Sequence, residues 1–153
     1  MKDFAASSDP AVQRQLDRLA ALDAREWGAA PTVVADGAGA KDRTRPVMSP
    51  HDGSLVGHVL EAEGADVDAM LARGTAAQIA WDTAGGEHRA RLLERAADLF
   101  EEHTDEILEL CRREAGKTLP DAVLELREAV DFLRFYAQEA RRHFAGAGLL
   151  LPG

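Results

Sequence analysis

The chain has 153 residues, 46% of them apolar and 29% charged, with a formal net charge of −9. That acidic balance argues against polyanion binding, since phosphate contacts need clustered Lys and Arg. The start, Met1-Lys2-Asp3-Phe4, leads into a polar stretch without the apolar core of a signal peptide, and no apolar run approaches the roughly 20 residues that span a bilayer. One cysteine, Cys111, cannot form an internal disulfide, which fits a reducing cytoplasm. Much of the apolar share is alanine, which favours helix but buries little area. A core built from it is thin and suits a chain with a partner surface.

Asp9 and Pro10 form a helix start, an acceptor at the cap and proline in the first turn. Val12, Leu16, Leu19 and Ala20 continue a helical stripe that should end before Gly28. From Ala29 to Thr44 the chain reads as a linker, with Pro31, Gly37 and Gly39 and at most a short strand at Val33-Val34. Residues 1–44 are therefore expected to be an N-terminal helix and linker, and 45–153 the main unit. Arg45–Met48 and Ser54–Leu60 flank Asp52-Gly53, which supplies the positive φ of a tight turn, so a hairpin is expected there.

Four helices should follow. The first begins at Asp66 with Val67, Met70, Leu71, Gly74, Ala77 and Trp81 on one face, and breaks at Gly85-Gly86. A second runs from about Glu87 to His103, with Leu92, Leu93, Ala96, Ala97 and Phe100. Thr104 is placed as the cap of a third, carrying Ile107, Leu110, Cys111 and Ala115, with Gly116 as its stop. Thr118-Leu-Pro-Asp121 has the form of a helix N-terminus. The helix it opens, from Leu119 to Phe144, should be about 39 Å long. Its stripe is Ala122, Leu126, Ala129, Val130, Leu133, Tyr136, Ala137, Ala140 and Phe144. A second row holds Leu124, Glu128, Phe132 and Phe135. A helix apolar on two sides must bury both, so part of this surface is meant for something else.

No chemistry stands out from spacing alone. Gly116-Lys117-Thr118 lacks the upstream glycine and strand of a phosphate-binding loop and reads as a helix end and turn. His51, His58, His88, His103 and His143 are scattered, without metal-ligand spacing. Cys111 lies on an apolar helix face with no base placed near it and reads as a small buried hydrophobe. Charges interleaved as in Arg91-Leu-Leu-Glu94-Arg95 and Arg112-Arg113-Glu114 read as solvated helix faces. On residues alone, this is a mainly α chain with a small antiparallel hairpin.

Arg113-Glu-Ala-Gly-Lys-Thr118, Asp121-Ala122 and Arg127-Glu-Ala-Val-Asp-Phe-Leu-Arg-Phe-Tyr-Ala137 resemble the aldehyde dehydrogenase superfamily. They look most similar to the L-glutamate γ-semialdehyde (1-pyrroline-5-carboxylate) dehydrogenase module of proline utilisation A type proteins. Pro46-Val-Met-Ser-Pro50 with Asp52-Gly53, Trp81, and Arg91–Leu99 agree in type and order, and Trp27–Pro31 resembles the segment before that module. The resemblance implies the N-terminal part of an α/β dehydrogenase fold, without the complete Rossmann sheet. It implies NAD as cofactor of the whole enzyme and none bound by this segment, since catalytic cysteine, general base and cofactor fold come later in the family. Cys111 does not occupy the nucleophile's motif. The long helix would border the aldehyde channel, with Glu128 facing it and Leu124 and Phe132 one turn to either side. The expected partner is the remainder of the dehydrogenase domain or a family homologue. The alternative is a non-catalytic helical module that associates with such a protein.

Overall fold

The computed structural model describes residues 9–33, 43–146 and 148–149. Val34, the glycines at 37 and 39, and the Leu150-Leu151 run lie outside the described residues. Helix α1 (Pro10–Leu22) opens where expected, with the Asp9 carboxylate accepting from the Ala11 N–H at 2.8 Å. Strand β1 (Trp27–Ala29) follows, then β2 (Thr44–Met48) and β3 (Leu55–Leu60), in the order β1-β3-β2.

The β2–β3 pair is the expected antiparallel hairpin, with an irregularity between Val47 and Met48. The Asp52 side chain accepts from the Ser54 N–H at 3.0 Å, and Gly53 takes φ +71°. These backbone and side-chain hydrogen bonds hold the Asp52 carboxyl at about 2. β1 corrects the linker expectation that began at Ala29. It pairs parallel with β3, Trp27 opposite Gly57, and a Cβ at Gly57 would sit 2.0 Å from the Trp27 carbonyl oxygen. A three-residue strand whose partner lies far along the chain leaves no local alternation to read.

Helix α2 (Gly64–Glu102) has two limbs that meet at Gly85, where φ is +72° and ψ −177°. The break falls at the predicted glycine pair because only glycine enters that region without strain. At its start Asp66 accepts from the Glu63 N–H at 2.9 Å and pairs with Arg43, both side chains buried. The face expected to be buried on the first limb is not. Every residue from 71 to 84 is exposed, Ile79 at 81%, because no described element packs there.

Helix α3 (Thr104–Ala115) and helix α4 (Leu119–His143) complete the fold. His103, not Thr104, is the α3 cap, and the Thr104 hydroxyl instead donates to the Glu101 carbonyl at 2.7 Å. Gly116 ends α3 in the left-handed region, φ +66°, with the Lys117 N–H on the Cys111 carbonyl. Thr118 caps α4, accepting from the Asp121 N–H at 3.3 Å.

The second limb of α2 packs antiparallel on α4. The contact positions Gly86, Ala90, Leu93 and Ala97 repeat at intervals of four and three, and so do Leu126, Val130, Leu133, Ala137 and Ala140, the pattern of a coiled-coil seam. Ala90, Ala97 and Ala137 are fully buried. Charges flank the seam at the same heptad spacing. Arg141 reaches Glu87 at 2.7 Å and Glu94 at 2.6 Å, and Arg134 reaches Glu101 at 2.6 Å. A larger apolar cluster of Leu19, Leu108, Ala122, Leu126 and Val130 lies where α1 and α3 meet α4.

A Cβ at Gly86 would lie 2.5 Å from the Ala140 carbonyl oxygen. Gly86→Ala should therefore force the two helices apart and cost about 1–3 kcal/mol, read from the urea midpoint. Hydrogen bonds from Arg141 hold the Glu87 and Glu94 carboxyls below their usual range. A depressed carboxyl stabilises the fold above its unfolded value, near 4.3, and that contribution is lost as pH falls through the lower folded value. Acid titration followed by circular dichroism should show this loss, and Arg141→Gln should shrink it.

Candidate functional site

The capped start of α4 sets the phase of the helix, and Leu124, Glu128 and Phe132 follow at intervals of four, one above another. With Arg127 and Asp131 they line an open depression of about 430 Å³. Leu124 and Phe132 are 60% and 51% exposed, too much for side chains whose only role is the core of this chain. Phe132 stacks on Tyr136 at 6.1 Å, and Phe135 meets Tyr136 edge-on at 5.3 Å. Glu128 makes no hydrogen bond or ion pair with any described residue. The three residues singled out for the channel thus share one surface, a solvated carboxylate between two apolar side chains.

A second groove, about 450 Å³, lies between Trp81, Arg89, Leu92, Tyr136 and Phe144. Its guanidinium lies over the Phe144 ring at 4.3 Å and the Trp81 ring at 5.4 Å. Arg89 also donates to the Trp81 carbonyl at 3.3 Å and Asp82 at 3.2 Å. This cation organises the α2 bend.

Cys111 sits against the larger apolar cluster, and burial pushes its thiol up, the nearby Lys117 charge offsetting only part of this. Lys117 is held by Glu125 at 2.7 Å, so Gly116-Lys117-Thr118 serves as helix stop, ion pair and helix cap. The histidines stay apart. His103 faces Glu106 at 3.4 Å, His143 faces Glu139 at 3.1 Å, and His88 meets the Trp81 ring at 5.9 Å. Among the described residues no group of three His, Cys, Asp or Glu could hold a metal ion. No described helix is long and apolar enough to cross a membrane.

The expectation that Arg112-Arg113-Glu114 is a solvated face fails at Arg113. Its buried guanidinium donates to the Arg25 carbonyl at 2.7 Å and the Leu55 carbonyl at 2.6 Å, joining α3 to the chain entering β1 and to the start of β3. Glu109 is fully buried one turn earlier. Neither stands out in sequence, because alternating charge looks the same whether water or backbone receives it.

Residues 38–149 match the aldehyde dehydrogenase family model. The chain belongs to that family. It is 37% identical over 123 residues to the bifunctional protein PutA of Klebsiella aerogenes, covering 78% of this chain and 9% of that protein. To the Escherichia coli K12 PutA it is 34% identical over 149 residues, 94% of this chain and 11% of that one. This aldehyde dehydrogenase chain therefore spans about a tenth of the length of those curated relatives. A solved 1-pyrroline-5-carboxylate dehydrogenase superposes with TM-score 0.77 at 25% identity, covering 99% of this chain and 29% of that one. A PutA from Bdellovibrio bacteriovorus gives TM-score 0.73 at 25% identity, over 86% and 14% of the two chains. The Thermus 1-pyrroline-5-carboxylate dehydrogenase with bound NAD, at TM-score 0.79 and 24% identity, shares the fold. The matched portion is the N-terminal part of the family fold, as the resemblance implied.

Cys111 should behave as a structural thiol. At about pH 7.5 its reaction with a disulfide reagent should be at least roughly tenfold slower than that of a free cysteine, and should quicken as pH rises.

Proposed function

We infer that this chain provides the helical scaffold and one wall of the aldehyde channel in an NAD-dependent L-glutamate γ-semialdehyde dehydrogenase of proline catabolism, working in the cytoplasm. The observation that carries the reading is the row Leu124, Glu128 and Phe132 left open to solvent on a helix of this family. Identity with two PutA proteins supports the choice of aldehyde, and the shared fold of an NAD-bound relative supports the cofactor.

The substrate carries an ammonium and a carboxylate beside an aldehyde-bearing chain. A carboxylate at Glu128 attracts the ammonium, while Leu124 and Phe132 shield the alkyl chain from water. The thiolate that attacks the aldehyde and the base that admits water belong, on this reading, to the remainder of the dehydrogenase domain. NAD, when bound there, accepts the hydride. This segment holds no cofactor and is inactive alone. Its partner is that remainder, or a family homologue offering the same surfaces.

The purified chain, given NAD and the semialdehyde, should form no NADH, and formation would overturn the scaffold reading. When the chain replaces the matching segment of a PutA-type dehydrogenase, Glu128→Gln or Phe132→Ala should each raise KM for the aldehyde about tenfold, roughly 1.4 kcal/mol, and leave KM for NAD unchanged. An unchanged aldehyde KM would remove both residues from the channel. A further outcome favours the alternative, a non-catalytic module suggested by exposed Val67, Leu71 and Ile79. In that case the chain would bind an intact homologue without altering its activity.

A further inference from the structure

α1 is attached to the rest of the molecule by two kinds of bond. Along the helix, facing charges meet. Arg18 Nε lies 2.7 Å from Asp105, to which Gln15 also donates, and Arg112 of α3 bonds Asp23 at the end of α1. Arg25 Nη1, just beyond, lies 2.7 Å from Glu106. These pairs are largely exposed, and Leu19 is the one residue of α1 that is buried. Arg112 has a second partner, Glu109, fully buried beneath it and bonded at 2.6 and 3.0 Å.

The chain past α1 is held by backbone instead. Trp27–Ala29 pairs with β3, and the buried Arg113 donates to the Arg25 carbonyl at 2.7 Å. Salt screens exposed ion pairs but acts little on hydrogen bonds to the backbone. A 13-residue helix is marginal in water by itself, so α1 stays helical mainly while docked. Glu109 is costly to bury without Arg112, which makes Arg112 the group shared between the arm and the interior.

The geometry points to α1 as a detachable arm, clasped to α3 by ion pairs, latched by Arg112 between Asp23 and Glu109, and pivoting where Arg25 and Trp27 are tied to the sheet. Its release uncovers Glu109 and the Leu108 flank of the apolar cluster while the α2–α4 seam stays closed. Native-state hydrogen exchange on the full chain tests this at about 0.01 M and about 1 M NaCl, between which the screening length falls from roughly 30 Å to 3 Å. Amides of residues 11–22 should exchange at least about tenfold faster in high salt, with those of α4, held mainly by its apolar seam, changing far less. Arg18→Gln combined with Asp23→Asn, which leaves the Glu109–Arg112 pair intact, should reproduce the effect at low salt. Protection of α1 that ignores both salt and substitution would overturn the clasp. Loss of protection in α1 and α4 together would overturn the separate arm.

Discussion

Close approach of two helices through small side chains is the constraint on which the rest of the molecule depends. Ala90 of α2 meets Ala137 and Ala140 of α4, Ala97 joins the cluster of Leu126 and Val130, and Gly86 lies against the Ala140 carbonyl. Alanine on both faces permits the backbones to approach the short end of the usual ~8–10 Å separation. Each buried methyl contributes only about 0.8 kcal/mol, so cohesion comes from many weak contacts and from larger side chains at Leu126 and Val130. Hence the flanking charges: Arg134 and Arg141 reach acids spaced seven apart along α2 and fix the register that uniform alanine leaves loose.

With that seam formed, the outward row of α4 has nowhere to go within the described residues. Leu126 and Val130 face inward, which turns Leu124, Glu128 and Phe132 outward by helical geometry alone. The candidate channel wall follows from the same packing that makes the core. The buried Arg113 then joins α3 to the sheet, fixing the hairpin relative to the helices.

Local signals in the sequence were legible. The caps at Asp9, Thr118 and Gly116, the glycine break in α2 and the Asp52-Gly53 turn all depend on a few adjacent residues and appear where expected. The family could be read because Arg113–Thr118 and Arg127–Ala137 hold a specific pattern. Long-range pairings were not legible. β1 depends on Gly57, about thirty residues on, and the first limb of α2 shows a helical apolar face that nothing described covers. The burial of Glu109, Arg113 and the Arg43–Asp66 pair was equally hidden, since sequence does not show which charges fold inward. The row of Leu124, Glu128 and Phe132 could be placed by counting, while the role assigned to it came from the resemblance.

The bare first limb of α2 has a thermodynamic side. Heat capacity of unfolding tracks the apolar surface released to water. Here Leu71 and Ile79 are in water already, as are Phe132 and Phe135 on α4. Melting this chain therefore adds less new hydration than its length suggests, and its stability curve is flatter with temperature than that of a fully packed domain of equal size.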